Sequence, residues 1–448
     1  TRTTCLLLAI ALLAPNFDCL GGSAYAATRA KPSLSNTRIV FMEPVEESKD
    51  SELPAFGRIS DKKRLKDLNN YLTNESAELA LALFDLAQQV ADTDHPFYIA
   101  IVPGGNNASQ GFQLRSEEGD VEEFSVVPFI KLDPRPSSFR TTLLHETGHM
   151  ILAVLSGGNG VPTQPLASIF HTTAAITDRG TAFNEGFAEH LEAVMGHFSV
   201  EREAREFYGH RRLFQQQGSS VQTGFLFPIS DLSNYAQNFA RYQAVRDNHY
   251  SFENATEHAD YNRIQLSPSP DFDRPRDANQ LLASEGFYAT YFFWLVADQT
   301  ESLSGEEIER IYRPMFESLS TILDVEFATS SPPVPPYLIE FIKGYGSRDA
   351  HRQEKALRLL FHLSHGAFSD ENFQRHWAGM LEAHYRLDVN EIRTAHKTIV
   401  SREQEALQRF TKDMDSLYVR VGEVVATDAS VKHILLQDVP FTQEIHPS

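Results

Sequence analysis

Cysteine is almost missing from this chain of 448 residues: there are two, Cys5 and Cys19, both close to its start. The stretch that holds them reads as a secretion signal. Arg2 opens it, Cys5 to Ala14 is a short apolar run, and Ala24-Tyr25-Ala26 fits the small-x-small cleavage rule. Cleavage after Ala26 leaves no cysteine, which excludes a disulfide framework and thiol chemistry. The expected destination is the periplasm or the exterior. Long hydrophobic runs are missing as well. The N-terminal run is too short to span a bilayer, so no stable membrane span is expected after signal removal. Positive charge is scarce: Lys plus Arg is 40 against 60 for Asp plus Glu, a net charge of -20. Such a surface repels phosphate backbones and anionic membranes, which excludes nucleic acid as a main partner. No period in Gly or Pro and no long heptad run occurs, so collagen-like and coiled-coil chains are excluded. What remains is ordinary globular composition, with a 42% hydrophobic and a 22% charged fraction, enough to build sizeable cores.

The pattern along the chain predicts an α+β protein. Residues 27–138 read as a small mixed α/β N-terminal subdomain. Its expected strands are 38–42, 96–102 and 123–130, with one helix across 61–92 and a turn at Pro103 to Asn107. Pro128 argues that the third strand is an edge or carries a bulge. That strand, Phe124–Ile130, is also expected to be the edge to which an extended peptide adds. Residues 139–328 read as a mainly helical subdomain, with helices over 139–154, 181–198 and 281–299 and a Gly/Pro-bearing insertion at 156–180. Ser330 to Pro336 looks like a stiff linker, and 337–448 reads as a helical C-terminal region.

His145-Glu146-Thr147-Gly148-His149 is an H-E-x-x-H sequence on a predicted helix. Residues i and i+4 share one face, so both imidazoles reach one metal ion. Glu146 beside them is placed to act as a base on a water that zinc acidifies. Leu143, Leu144, Met150, Ile151, Leu152 and Leu155 supply an apolar surface that buries this helix. Leu152 and Leu155 stand where a metzincin carries Gly and a third His, which excludes that class. Downstream, Phe183-Asn184-Glu185-Gly186-Phe187-Ala188-Glu189-His190 reads as a second helix. Glu185 and Glu189 lie four apart on one face. A helix crossing the first can deliver one of these carboxylates to the metal while the other holds a ligand histidine. Gly186 is expected to let the two backbones approach. His171 and Asp178 are weaker ligand candidates, and His190 is expected to pack in the core.

Over residues 140–195, the two motifs together resemble the active site of gluzincin metallopeptidases, the thermolysin-like enzymes and zinc aminopeptidases. The resemblance implies a zincin-like catalytic subdomain. It implies Zn2+ held by His145, His149 and Glu185, with Glu146 as general base and later proton donor. Glu189 takes the acidic position that supports a ligand histidine. Gluzincins also use a Tyr or His after the third ligand to hold the oxyanion. Tyr288, with Tyr291 beside it, is the candidate here, although the aromatic run around it suits a core helix better. The gap between His149 and Glu185 is longer than in either named group. No Gly-x-Met-Glu-Asn sequence occurs, so exopeptidase action does not carry over.

These features predict a secreted or periplasmic zinc metallopeptidase acting on peptide or protein substrates. Two rivals follow from the same residues. One is a zinc hydrolase of another bond, such as a glycopeptide or cell-wall peptide link. The other is a non-catalytic binding or scaffold protein that keeps the metal helix. An intact Glu146 argues against the second, because a structural zinc site has no use for a base.

Overall fold

The computed structural model describes residues 38–45, 53–116, 119–161, 179–210, 278–323, 337–347, 349–364, 366–369, 371–385 and 388–414. The signal segment, most of the 156–180 insertion with His171 and Asp178, and the 330–336 linker lie outside them.

Five strands lie in the N-terminal part: β1 (Ile39–Pro44), β2 (Ala55–Arg58), β3 (Phe97–Ile101), β4 (Asn106–Arg115) and β5 (Val121–Leu132). They close in the order β1-β2-β4-β5-β3. The β1/β2 and β4/β5 pairs are antiparallel, and β1/β3, β2/β4 and β3/β5 are parallel. Alternation along each strand splits the side chains between two cores. Met42, Tyr98, Ala100, Phe112 and Phe129 fill the barrel. Phe41, Phe97, Ile99, Ile101, Ile130 and Leu132 turn the other way, into the helical core.

Two strands differ from expectation. β4 begins inside the anticipated turn, directly after Gly104 and Gly105, and β2 was not anticipated. Both are poor in β-branched residues, and cross-strand pairing rather than local preference holds them. Pro128 matches the bulge alternative: it faces Gln110, next to the register shift between Gln110 and Phe112. The single helix expected over 61–92 is two, α1 (Lys62–Tyr71) and α2 (Glu75–Ala91). Asn74 separates them, because its extended backbone and its side-chain oxygen, which accepts from the Ala77 N–H, start a new helix.

The helical part comprises α3 (Pro136–Thr141), α4 (Leu143–Leu155), α5 (Arg179–Phe198), α6 (Arg202–His210), α7 (Ala278–Leu282), α8 (Glu285–Ala297) and α9 (Gly305–Leu323). After the linker come α10 (Tyr337–Tyr345), α11 (Ala350–Leu363), α12 (Glu371–Tyr385) and α13 (Val389–Lys412). The broad α+β reading therefore holds. One apolar core runs from Phe41 through α2, α4, α5, α8 and α9 to Phe410 and Met414, so the C-terminal helices pack on the same core as α4 and α5. Among the described residues no helix is long and apolar enough to cross a membrane.

Candidate metal centre

Helix α4 buries the apolar face anticipated from its sequence: Leu143, Leu144, Met150, Ile151, Leu152 and Leu155 are all in the core. Burying that face turns His145 and His149 together toward α5. Their rings stand edge to face with centroids 5.0 Å apart, and their Nε2 atoms are 3.3 Å apart. Helix α5 crosses so closely that a Cβ at Gly148 would lie 2.7 Å from Ala188 Cα. At that crossing Glu185 Oε2 comes 3.4 Å from His145 Nε2 and 3.5 Å from His149 Nε2. The glycine that brings the two helices together is thus Gly148. Gly186, to which the sequence assigned this role, instead meets α8, where a Cβ would lie 2.5 Å from Glu285 O and 2.6 Å from Tyr288 Cβ.

Bonds of about 2.0–2.1 Å to a tetrahedral zinc set ligand–ligand edges of about 3.3–3.4 Å, and the same bonds in an octahedron set edges of about 2.9 Å. The three edges here, 3.3, 3.4 and 3.5 Å, match one face of the tetrahedron. Two imidazoles and one carboxylate suit zinc rather than calcium or magnesium, which prefer oxygen alone. The side chains of His145, His149 and Glu185 are 21%, 15% and 13% exposed, so solvent reaches each of the three residues. The residues present therefore fit a zinc ion with an open position.

Electrostatics agree. Burial pulls the His149 imidazole down, but the charge and hydrogen bonding of Glu185, with Glu146 and Asn184 adding to it, carry it up to about 9. His145 is raised in the same way: burial lowers it, and Glu185, Glu192 and Glu146 outweigh that. The metal-free centre thus holds protons where a cation would sit. A metal entering there would have to displace them, so its apparent affinity should fall as pH drops below about 9. Each displaced proton weakens binding about tenfold per pH unit. Calorimetry of zinc binding in buffers of different ionisation enthalpy reads this proton release directly, and binding unchanged between pH 6 and about 9 would contradict it.

Glu146 is 6% exposed. Its Oε2 accepts a 2.7 Å hydrogen bond from the Ala108 N–H of β4. Burial raises its carboxyl pKa, and His145, His149 and the Ala108 bond offset part of the rise. The strand beside Glu146 is therefore β4, not the Phe124–Ile130 segment of β5. That segment pairs with β4, and from Ile130 also with β3.

Two other expected residues lie elsewhere. Tyr288 is fully buried between α5 and α8, edge-on to Phe183 at 5.4 Å. Its hydroxyl makes no hydrogen bond among the described residues, and burial raises its pKa. It stands in the aromatic core, because α8 turns its apolar surface inward on every side. Tyr291, its neighbour, donates instead to Ala356 O of α11. Glu189 is half-buried on α5, and the carboxylate that faces a ligand histidine is Glu192, whose Oε1 is 3.6 Å from His145 Nδ1. Glu192 escaped the sequence reading, although a signal existed. Seven residues past Glu185 is nearly two full turns, closer to the same face than four residues. His190 packs in the core as expected. Burial drives its pKa down to about 3, and its Nε2 meets Tyr312 Oη at 3.3 Å.

No protein-family model, no curated protein and no solved structure matches the chain.

Proposed function

We propose that this protein is a zinc-dependent metallopeptidase, with His145, His149 and Glu185 as ligands and Glu146 as general base. The observation that carries the reading is the convergence of those three donor atoms on tetrahedral edges, with a buried carboxylate one residue along α4. Zinc bound there supplies Lewis acidity and brings the pKa of a coordinated water toward about 7. Glu146 accepts the proton of the attacking water and then passes it to the leaving nitrogen. The Ala108 N–H holds one oxygen of the carboxylate and leaves the other for that transfer.

The neighbouring strand favours a peptide over other hydrolysable bonds. Among the described residues, Asn106–Gln110 of β4 pair with β5 on one side only, because β2 joins β4 at Gln113–Arg115. Their other edge borders Glu146. An extended peptide can add by main-chain hydrogen bonds to the part of this edge that Glu146 and the Asn107 side chain do not already hold. A secreted or periplasmic location belongs to the same reading, through the signal-like segment at 1–26.

The test is the metal content of the purified chain beside His145→Ala and Glu185→Ala, with a chelator-sensitive cleavage assay on a mixed peptide library. About one zinc per wild-type chain, lost in both variants, with cleavage that EDTA abolishes and zinc restores, is the expected result. Zinc without cleavage of any peptide would move the assignment to another bond or to a binding role. No zinc would overturn it.

A further inference from the structure

We propose that the cavity between α2, α3 and α6 binds a free α-amino acid with an apolar side chain. None of the three metal ligands proposed above lines it, so its occupation does not depend on a metal.

The cavity measures about 330 Å³, at the small end of the range of about 300–1,000 Å³ usual for ligand pockets. Its floor is buried and its rim is exposed. Asn74, Ser76 and Tyr208 form the floor, and Ser137, Arg140 and Glu203 stand at the rim.

The floor is built from polar residues whose polar groups face one another. The Tyr208 hydroxyl donates to Arg140 O at 2.6 Å, so the Ser76 hydroxyl, 3.0 Å away, donates to Tyr208 Oη. The Asn74 side chain accepts from the Ala77 N–H and donates to Tyr71 O. Thr141 Oγ1 donates to Ser137 O. Because these groups satisfy one another, a polar ligand body would lose its water there without gaining equal bonds. Pro136 and Ala204 add apolar wall. An aliphatic or aromatic side chain of modest size suits that space.

The rim carries both signs. Arg140 and Glu203 form an ion pair that links α3 to α6, with side chains 55% and 73% exposed. Glu201 adds a second carboxylate, whose Oε1 accepts from the Glu75 N–H at 3.2 Å. An ion pair so exposed contributes little and opens readily. A ligand with a carboxylate and an ammonium close together can enter it, the carboxylate on the Arg140 guanidinium and the ammonium on Glu203 and Glu201. The α-carbon of an amino acid carries both charges and the side chain, which matches the rim above an apolar floor. A fatty acid or a simple amine answers one sign only, and a sugar meets hydrogen bonds already made. Free amino acids are also what complete peptide hydrolysis releases, and Arg140 and Thr141 end α3 just before α4, the helix of His145.

Calorimetric titration of the full chain, zinc-loaded and again in EDTA, tests this. Leucine and phenylalanine should bind with the same affinity in both conditions. Glycine, without the apolar group, should bind about tenfold more weakly. N-acetylleucine, without the ammonium, and leucinamide, without the carboxylate, should each lose about tenfold. Arg140→Gln should weaken leucine about tenfold and leave leucinamide unchanged. Glu201→Gln combined with Glu203→Gln should weaken leucine and leave N-acetylleucine unchanged. Ala204→Leu, which fills the wall, should weaken phenylalanine. No saturable binding of leucine or phenylalanine would overturn the proposal. Binding seen only with zinc would overturn it too, by placing the amino acid on the metal, as would binding that all these variants leave unchanged. Arg140→Gln decides the matter if Ala204→Leu fails to fold, since the Arg140 side chain is exposed. A chain that takes up no zinc but binds leucine overturns the metal centre and supports this site.

Discussion

Glu146→Gln is expected to keep one zinc per chain and to lose about 10²–10⁴-fold in kcat/KM, the usual worth of a positioned general base. Gln has the same length and still offers an oxygen to the Ala108 N–H, so the hydrogen bond from β4 survives. The three ligand atoms lie on other residues, so the donor triangle survives as well. What disappears is the ability to take a proton. Metal analysis and peptide turnover on the same preparation separate the two effects. Wild-type turnover in fully loaded Glu146→Gln would remove Glu146 from the chemistry, and lost zinc would mean that it supports the ligands instead. No comparable separation is expected at His145 or His149, where metal and activity should leave together.

Gly148→Ala is expected to be the most damaging single-methyl change near the centre. The added Cβ would stand 2.7 Å from Ala188 Cα and 2.9 Å from Ala188 Cβ, and one of those atoms is backbone. Helix α5 must then move, because a helix backbone cannot yield as a flexible side chain does. Overpacking of this kind costs about 1–3 kcal/mol. The functional cost is larger than the stability cost. Glu185 lies one turn before Ala188 on the same helix, and a shift of a few tenths of an ångström opens a triangle whose edges are 3.3 to 3.5 Å. Zinc affinity should drop sharply, and added zinc should stabilise the variant less than it stabilises wild type. The control is Gly379→Ala on α12, an exposed helical position with nothing within 4 Å of the new methyl among the described residues. It should gain up to about 1 kcal/mol from helix propensity and leave zinc binding alone. Denaturant unfolding with and without zinc checks both, and equal behaviour of the two variants would show that the helix crossing tolerates a side chain.

Much of the centre was readable without coordinates, for a local reason. His145 and His149 share a face because a helix turns every 3.6 residues, and the apolar residues around them say which way that face points. The second motif is equally local, so Glu185 could be named from helical spacing and resemblance. Parts of the fold were legible by the same means: β1, β3 and β5 carry the apolar and β-branched residues of half-buried strands. β4 was not, since Asn106-Asn107-Ala108-Ser109-Gln110 reads as loop to any rule based on residue preference. Its extended form comes from pairing with β5, an interaction between segments that no window along the chain contains.

The amino-acid sequence alone thus determined the pair of histidines with Glu146 beside them, the acidic balance of the chain, and the α+β order of a mixed N-terminal part before a helical one. Each depends on neighbours within a turn or two, or on composition. The tertiary structure decided the rest. It made Gly148, not Gly186, the point where α4 meets α5, it set Glu192 rather than Glu189 against His145, it brought the Ala108 N–H to Glu146, and it placed Tyr288 in the aromatic core. These four contacts join residues on different elements, and their geometry depends on how two packed surfaces settle against each other. Helical period tells which residues share a face, but the volume of side chains between the faces tells which of them touch.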